Sequence, residues 1–254
     1  MLLVPAGNPS LWTGPTGNNT YLLNGAVPTL IDAGIGDPSH LARVEEALGT
    51  TPLAVLLITH GHPDHATGIP YLRARWPGLV VRNFPPDVCR DDEVIRAGDT
   101  MLRALYTPGH APDHFCFLDE ATRDVYCGDL ARLGGTVVIP ASAGGNLRQY
   151  LGSLRRIRTL SPRRLLPGHG PLVTDPAALI DEYLSHRHER EEQVAGALRS
   201  GCTTPEQIVD RVYGTLAPVL VRAARDSVQA HLIKLADEGR AVETSEGWRA
   251  RDKG

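Results

Sequence analysis

Short apolar segments that stop at glycine or proline dominate the first 170 residues of the chain. Residues 19–23, 28–34 and 53–60 either alternate or run continuously apolar, which is typical of strands with one or both faces buried. Residues 37–49 instead show helical spacing, and they begin with Asp37 as a capping residue and end with a glycine. Strands that alternate with helices predict an α/β layered fold.

The same patterns extend to residue 170. Further strands are predicted at 79–81, 101–107, 115–119, 124–129 and at the start of 163–170, and further helices at 66–76 and 146–160.

The pattern changes after Pro171, where apolar residues follow only helical spacing. Residues 175–201 predict one long helix, and residues 204–214 and 218–239 predict two shorter ones. A polar hairpin follows at 240–250. Two helices and a hairpin are typical of a winged helix, so we expect a catalytic domain over 1–174, a linking helix over 175–201 and a winged-helix module over 202–254.

Composition narrows the class of protein only a little. The 254 residues are 42% hydrophobic with a net charge of −3, which is ordinary for a globular protein and gives no general attraction to nucleic acid. No apolar run approaches a membrane span, and the first residues lack the features of a secretory signal. We therefore expect a cytoplasmic protein, without membrane contact, whose scattered cysteines are reduced thiols.

Ligand-type side chains crowd the segment THGHPDH, residues 59–65, directly after the most apolar strand. His60 and His62 are two residues apart, so an extended chain presents both on one side. Asp64 and His65 follow after Pro63 ends the extension. Imidazole and carboxylate groups in this density predict a metal site, with zinc favoured and iron or manganese as alternatives.

Three other predicted strands end in similar signals. These are TPGH, CGD and PGHG, which contain His110, Asp129 and His169. Small residues at each turn let the backbone approach a shared centre. Together with residues 59–65 these loops supply five histidines and two aspartates, enough ligands for two metal ions.

The ordered set HxHxDH, TPGH, GD and GHG resembles the signature of the metallo-β-lactamase superfamily over roughly residues 15–171. The resemblance implies a four-layer αββα sandwich and a binuclear zinc hydrolase in which the two ions share a hydroxide. It also implies two ligand groups that Asp129 bridges, namely His60, His62 and His110 for one ion and Asp64, His65 and His169 for the other.

A narrower resemblance, to the β-lactamase-like protein 2 family, covers nearly the whole chain. It is carried by residues 7–23, by residues 167–193 and by the winged helix. That family includes a single-stranded-RNA endonuclease, and related fungal enzymes are thioesterases. Asp129 at the bridging position resembles thioesterases, lactonases and phosphodiesterases, whereas β-lactamases tend to carry Cys, Ser or His there.

Other polar residues near these motifs are candidates for supporting roles. We expect Asp64 to accept a hydrogen bond from the nucleophile, and Asp32 to hold a ligand histidine rather than only make a turn. We expect His114 to donate to a substrate oxyanion. The candidates for substrate contact, against ordinary turn or helix-surface roles, are Asn18, Asn19, Tyr183 and Arg187.

Several functions remain open from the sequence. The leading one is hydrolysis of a small cytosolic ester, thioester or lactone. Cleavage of single-stranded RNA is the alternative, and it gains weight if Arg132 and the six arginines of residues 148–164 line the cleft. Weak β-lactam hydrolysis is a third expectation. A metal-sensing winged-helix regulator is disfavoured because residues 203–254 hold eight basic and eight acidic side chains. The module then serves as a lid or as a contact in a possible homodimer.

Overall fold

The first sheet has the strand order β1-β2-β3-β4-β5 in the computed structural model, which describes residues 1–83, 85 and 87–251. Its strands are Leu2–Pro5, Asn19–Leu23, Thr29–Ile31, Val55–Leu57 and Val80–Arg82. The last three are parallel, so each connection must cross over the sheet. The crossings are made by helix α1, Pro38–Leu48, and by helices α2, Pro63–Ala66, and α3, Ile69–Arg75.

The second sheet has the order β10-β9-β8-β7-β6. Its strands, from β6 to β10, are Val94–Ala97, Thr100–Tyr106, Phe115–Asp119, Asp124–Gly128 and Arg164–Pro167. Only β9 and β10 are parallel, and helix α4, Leu147–Thr159, lies between them in the chain. A short 3-10 turn at Ala141–Ala143 precedes that helix.

Both faces of each sheet are buried, which explains the continuously apolar strands. Leu22 and Leu56 pack against helices α1 and α3, while Tyr21 and Leu57 point to the opposite face and pack against Phe117 of the second sheet. A third cluster lies between the second sheet and helices α4 and α5. The layers are therefore helix, sheet, sheet, helix, as the sequence predicts.

Three helices and a hairpin complete the chain. Helix α5 spans Pro176–Arg199, α6 spans Pro205–Tyr213 and α7 spans Pro218–Asp237, and the hairpin pairs β11, Ala241–Thr244, with β12, Gly247–Ala250. Thr204 and Gln207 cap α6 reciprocally, which fixes where that helix begins. The hairpin and helices bury their own apolar cluster against the end of α5.

Helix α7 also packs against the sandwich. The backbone N–H of Ser142 donates to Asp226 over 3.3 Å, and Arg148 of α4 lies 3.7 Å from Asp237. The helix that would be free to read DNA in a winged-helix regulator is therefore held against the sandwich.

The element predictions differ from the structure in a few places. Strands β1 and β6 were not predicted, because β1 is mostly exposed and β6 is a short edge strand. The strand predicted at 53–60 is regular only over Val55–Leu57, and the helix predicted at 66–76 is two helices. Asp252 and Lys253, which enter the charge balance of the module, lie outside the described residues.

Two expectations about the environment can be compared with the structure. None of the helices in the described part of the chain combines the length and apolar character that crossing a bilayer requires. The cysteine thiols are free, and three of the four, Cys89, Cys116 and Cys127, are buried.

Glu191 of α5 forms a buried ion cluster that joins α5 to the C-terminal module. Its carboxylate lies 2.7 Å from Lys234 Nζ and 3.0 Å from Arg240 Nη1, with His231 at 3.9 Å. The residue is 5% exposed. Removal of one partner from a buried pair leaves charge without compensation, which costs far more than loss of an exposed pair.

We expect Glu191→Gln to lower the free energy of unfolding by about 3 kcal/mol. The matched control is Glu192→Gln, which removes a more exposed contact to the same Arg240 and should cost less than about 1 kcal/mol. Urea unfolding at pH 7 measures both. Equal losses in the two variants would contradict the assignment.

The pH dependence of stability in wild type and in Glu191→Gln gives a second test of the cluster. Burial alone would raise the pKa of Glu191, but His231 and Lys234 outweigh it and lower the pKa to about 2. Since an unfolded glutamate has a pKa of about 4.3, this carboxylate stabilises the fold above that pH and its contribution is lost as the pH falls toward 2. The stability difference between wild type and Glu191→Gln should shrink over that interval, whereas a constant difference would indicate a packing effect.

Candidate metal centre

The predicted ligand loops follow strands β4, β7, β9 and β10 and meet at one edge of the sandwich. Pro63 begins helix α2 directly after His62, so the chain turns there and places Asp64 and His65 in the first helical turn. The ring centroids of His60 and His65 lie 4.2 Å apart, and those of His60 and His110 lie 5.0 Å apart.

A first group of three imidazoles converges with too few protons to pair them. His62 Nδ1 lies 3.0 Å from His60 Nε2 and 3.0 Å from His110 Nε2. His110 donates from Nδ1 to the carbonyl of Val138 over 2.8 Å, so its Nε2 carries a lone pair. One proton on His62 can satisfy only one of its two neighbours, whereas a cation between the three nitrogens would satisfy all of them.

A second group contains a buried nitrogen without a hydrogen-bond partner. His65 Nδ1 lies 2.8 Å from Asp32, and its Nε2 has no partner among the described residues. That Nε2 faces carboxylate oxygens of Asp64 at 3.6 Å and of Asp129 at 3.5 Å. His169 Nε2 lies 3.3 Å from each of the same carboxylates. Burial would lower the pKa of His65, but Asp32 and Asp129 outweigh it and raise that pKa. Ring nitrogens that face two carboxylates at these distances therefore favour a positive charge between them, which a metal ion would supply.

Asp129 lies between the two groups. Its Oδ1 is near His65 and His169, and its Oδ2 is 3.6 Å from His110 Nε2. Three clusters of potential ligand atoms, with all atoms of a cluster within 4.8 Å of one another, lie here: His60–His62–His110, His60–His65–Asp129 and Asp64–His65–His169. A fourth, His188–Glu191–Glu192, lies on α5 away from this site. The structure thus brings together all seven side chains that the sequence nominated.

The electrostatics differ between the two groups. Burial is the main cause that lowers the pKa of His60, His62 and His110, so these rings are neutral and available as ligands. Burial would also lower the pKa of His169, but Asp129 and Asp64 outweigh it and raise the pKa to about 9. The second group therefore creates a field that favours positive charge.

Asp32 has the role expected from the sequence, since it holds His65. One oxygen accepts from the backbone N–H of Thr59 over 2.8 Å, and the other contacts the Thr59 hydroxyl at 3.0 Å and His65 Nδ1. The residue is buried and has a φ of 63°, in the left-handed region that non-glycine residues rarely adopt. Its hydrogen bonds fix the orientation of the His65 ring.

The expectation that Asn18 and Asn19 contact substrate is not matched by their positions. Both are buried. The amide of Asn18 donates to Asp64 Oδ2 over 3.1 Å, and the amide of Asn19 donates to the carbonyls of Pro167 and Gly170. The first residue orients a candidate ligand and the second holds the loop of His169, because both side chains are consumed within the protein.

The prediction that His114 donates to a substrate oxyanion is wrong for this structure. Its ring is fully buried, with Nδ1 2.9 Å from the Thr107 hydroxyl. Its Nε2 accepts from the backbone N–H of Asp129 over 3.2 Å. Burial lowers the pKa of His114 to about 3, in keeping with a neutral ring. His114 therefore positions the Asp129 backbone and does not reach the cleft.

Two glycines are required by the close approach of the ligand loops. A Cβ on Gly168 would lie 2.6 Å from the His65 ring and 2.9 Å from an Asp129 oxygen. Gly128 has a φ of 46°, and its Cβ would meet His114 and Thr59 at 2.8 Å. The glycines in CGD and PGHG therefore make room for the ligands next to them.

The site opens into a cleft of about 540 Å³ between the sandwich and the C-terminal module. Arg187 lines this cleft, as expected, but donates to Thr136 over 3.0 Å and to the carbonyl of Val137. Tyr183, a predicted substrate contact, is instead buried behind the cleft. Its hydroxyl accepts from the Arg132 backbone N–H over 3.2 Å and lies near the carbonyls of Arg132 and Gly135.

Arginines of residues 148–164 do not line the cleft. Arg156 pairs with Asp91 at 2.7 Å, Arg158 with Asp181 at 3.0 Å and Arg164 with Asp124 at 2.5 Å. Of the seven arginines weighed for RNA binding, the cleft contains Arg132 alone.

Sequence reasoning missed some residues that shape the site. Thr59 links Asp32 to His60, and its hydroxyl lies 3.0 Å from His60 Nδ1. Asn83, with a φ of 57°, donates to the carbonyl of Ile58 at the end of β4. Thr59 adjoins the histidine motif and could have been nominated, whereas Asn83 is distant in sequence and carries no motif.

Comparison with protein families agrees with this architecture. The model of the metallo-beta-lactamase superfamily matches residues 13–83 and 77–169, and that of the beta-lactamase-associated winged helix domain matches residues 204–248.

Relatives match most of the chain. An atrochrysone carboxyl ACP thioesterase of Aspergillus chevalieri is 34% identical over 92% of this chain and 80% of its own length. A lactamase-like protein of Penicillium aethiopicum is also 34% identical, over 91% of this chain and 75% of its own length.

Solved structures share the fold. A metallo-beta-lactamase family protein of Thermus thermophilus superposes with a TM-score of 0.81 at 22% identity, covering 98% of both chains. A second protein, solved in a di-iron-bound form, has a TM-score of 0.53 at 28% identity over 69% of this chain and 98% of its own. The chain therefore belongs to the metallo-beta-lactamase superfamily, and it is a hydrolase with the associated winged helix at its carboxyl end.

Proposed function

We propose that the seven side chains hold two divalent metal ions, with zinc as the native metal. One ion would take His60, His62 and His110, the other would take Asp64, His65 and His169, and Asp129 would bridge them. The support is the convergence of bare imidazole nitrogens in the first group and the unpartnered Nε2 of His65 in the second. Imidazole and carboxylate donors suit zinc, and the di-iron form of a structural neighbour favours a count of two.

We further propose that this protein hydrolyses a thioester. The observation that carries the proposal is the carboxylate of Asp129 between two imidazole groups, at the floor of a cleft large enough for a small organic substrate. A relative that covers most of the chain is named as a carrier-protein thioesterase. In the reaction the oxygen of water bonds to the acyl carbon, the carbon–sulfur bond breaks, and the products are a carboxylic acid and a thiol.

The metals would supply activation of water near neutral pH and polarisation of the acyl oxygen. The protein itself supplies orientation and a proton acceptor. Asn18 and His169 fix Asp64 through Oδ2, and no hydrogen bond to Oδ1 occurs among the described residues. With a side chain that is 30% exposed, Asp64 faces the cleft and is placed to accept a proton from the attacking water at Oδ1.

Two alternatives receive less support. RNA cleavage needs a basic track along the cleft, but the arginines of residues 148–164 lie elsewhere and most are paired with aspartates. A DNA-reading role needs a free helix in the winged helix, but Ala223 and Ala224 of α7 line the cleft.

One prediction of this proposal concerns metal and substrate together. Purified protein should contain close to two metal ions per chain and hydrolyse an acyl thioester faster than a cephalosporin or a short single-stranded RNA. His62→Ala should bind less metal, and its kcat/KM should fall by at least about 100-fold. The control is His188→Ala, an exposed histidine on α5. Metal analysis and an assay of released thiol measure the outcome, and full turnover by His62→Ala would rule out the metal site.

A further prediction of this proposal concerns Asp32. Asp32→Asn should weaken metal affinity by about 10- to 100-fold, because the amide cannot accept from His65 and from Thr59 in the same way. Competition with a chelator measures the affinity. Asp113→Asn serves as the control, since Asp113 contacts the backbone N–H of Gly61 and no ligand ring. Equal effects of both changes would contradict a specific role of Asp32.

A further inference from the structure

The cleft above the metal centre has two chemically different walls. One is apolar and comes largely from the C-terminal module, and the other contains arginines from the catalytic half and α5. A cleft of about 540 Å³ is in the range that binds small organic molecules. The chemistry of the two walls therefore limits which thioesters can bind in the cleft.

The apolar wall is formed by Leu216, Leu220 and Ala223 at the start of α7 and in the loop before it. Leu11 and Trp12 line the cleft from the amino-terminal loop. Trp12 is 48% exposed and Leu220 is 37% exposed. Apolar side chains that remain exposed around one cleft mark a surface for an apolar partner or ligand.

The other wall carries Arg132, Arg187 and Arg190, and none of them pairs with an acidic side chain within the described ranges. Arg132 donates from Nη1 to the carbonyl of Trp12 over 2.8 Å, and Arg190 stacks on the Tyr213 ring at 4.1 Å. Elsewhere in the chain many arginines form ion pairs, such as Arg158 with Asp181 and Arg164 with Asp124. The cleft therefore has positive charge without an internal counter-charge on this wall.

Two of these arginines keep donors available. Arg187 is buried and uses its guanidinium on Thr136 and Val137. The Nε atoms of Arg132 and Arg187 are both buried and without a hydrogen-bond partner. Arg132 differs in using only Nη1, on the carbonyl of Trp12, and no hydrogen bond from its Nη2 occurs among the described residues. Arg190 is half-buried, and its contact with Tyr213 is through the ring face, which leaves the edge of the guanidinium free to bind an oxyanion.

We propose, on the basis of the thioesterase function proposed above, that the cleft selects thioesters that combine a bulky apolar acyl group with an oxyanion. Leu216 and Leu220 pack against the acyl group, and Arg132 and Arg190 bind the oxyanion. The oxyanion is a carboxylate of the acyl group or a phosphate of the thiol carrier, since both offer the planar or tetrahedral oxygens that a guanidinium binds.

Three matched thioesters distinguish the two sources of charge. All carry a naphthoyl group. The first is the neutral N-acetylcysteamine thioester, the second adds a carboxylate to the naphthoyl ring, and the third uses phosphopantetheine as the thiol. We expect KM to be about 10-fold lower for one of the charged substrates than for the neutral one. The preferred substrate identifies the source, and equal KM values for all three would overturn the proposal.

Substitutions of the cleft arginines test which side chains cause the preference for a charged substrate. Arg132→Gln and Arg190→Gln should each remove most of the advantage in KM of the charged substrate and change kcat by less than about threefold. Arg132→Lys should keep part of it, which separates charge from the contact to Trp12. Arg73→Gln, an exposed arginine of α3 that does not line the cleft, is the control.

The apolar wall is tested by a matched pair of variants. A further substrate, in which an acetyl group replaces the naphthoyl group, tests this wall. Leu220→Ser should raise KM for the naphthoyl thioester but not for this smaller thioester, because only the larger acyl group reaches the wall. Val221→Ser is the control, since Val221 is similarly exposed but does not line the cleft. Equal effects of the two changes would exclude this wall from acyl binding.

A binding measurement keeps this inference separate from the thioesterase proposal. Naphthalenesulfonate joins an apolar ring to an oxyanion and is a weak metal ligand. Methyl naphthyl sulfone is its neutral counterpart. Calorimetry on the metal-loaded protein should show about 10-fold tighter binding of the sulfonate, lost in Arg132→Gln. If no thioester is hydrolysed but this difference holds, the thioesterase proposal fails and the oxyanion site stands. If thioesters are hydrolysed but both probes bind equally, the oxyanion site fails.

Discussion

The burial of histidine nitrogens with too few protons to pair them is the constraint on which the rest of this structure depends. His62 Nδ1 has two imidazole neighbours at 3.0 Å, and His65 Nε2 faces only carboxylates. Buried polar atoms without partners destabilise a fold by several kcal/mol in total, so this edge of the sandwich favours a positive charge among them. The short strands, the close turns at Gly128 and Gly168 and the strained backbone of Asp32 all serve that convergence.

Helix α5 connects this centre to the cleft above it. Tyr183 holds the loop after Asp129 through the Arg132 backbone and Gly135, and Arg187 holds Thr136 and Val137 of the same loop. One loop therefore follows the carboxylate that lies between the two histidine groups and carries a cationic side chain of the cleft. These contacts hold the backbone of Arg132, so the position of this residue relative to Asp129 does not depend on its guanidinium alone.

The ligand set could be predicted because it is encoded by short motifs at strand ends, and the fold followed from the resemblance that these motifs carry. The roles of Asn18, Asn19 and His114 could not, because a polar residue beside a ligand can face either the cleft or the protein. The choice depends on partners distant in sequence, such as the carbonyl of Pro167 for Asn19 and the backbone of Asp129 for His114. Edge strand β6 escaped prediction for a related reason, since four residues give too short an alternation.

The docked winged helix changes what its fold implies. A helix that reads DNA must present a free, basic face. Here α7 contributes Leu220, Ala223 and Ala224 to the cleft, and Asp226 contacts the backbone of Ser142 in the sandwich. The ion cluster around Glu191 fixes the module to α5, the helix that also holds the loop of Arg132. The module is therefore built as a wall of the cleft, and the apolar residues it contributes are separate from the histidines and aspartates of the candidate metal centre.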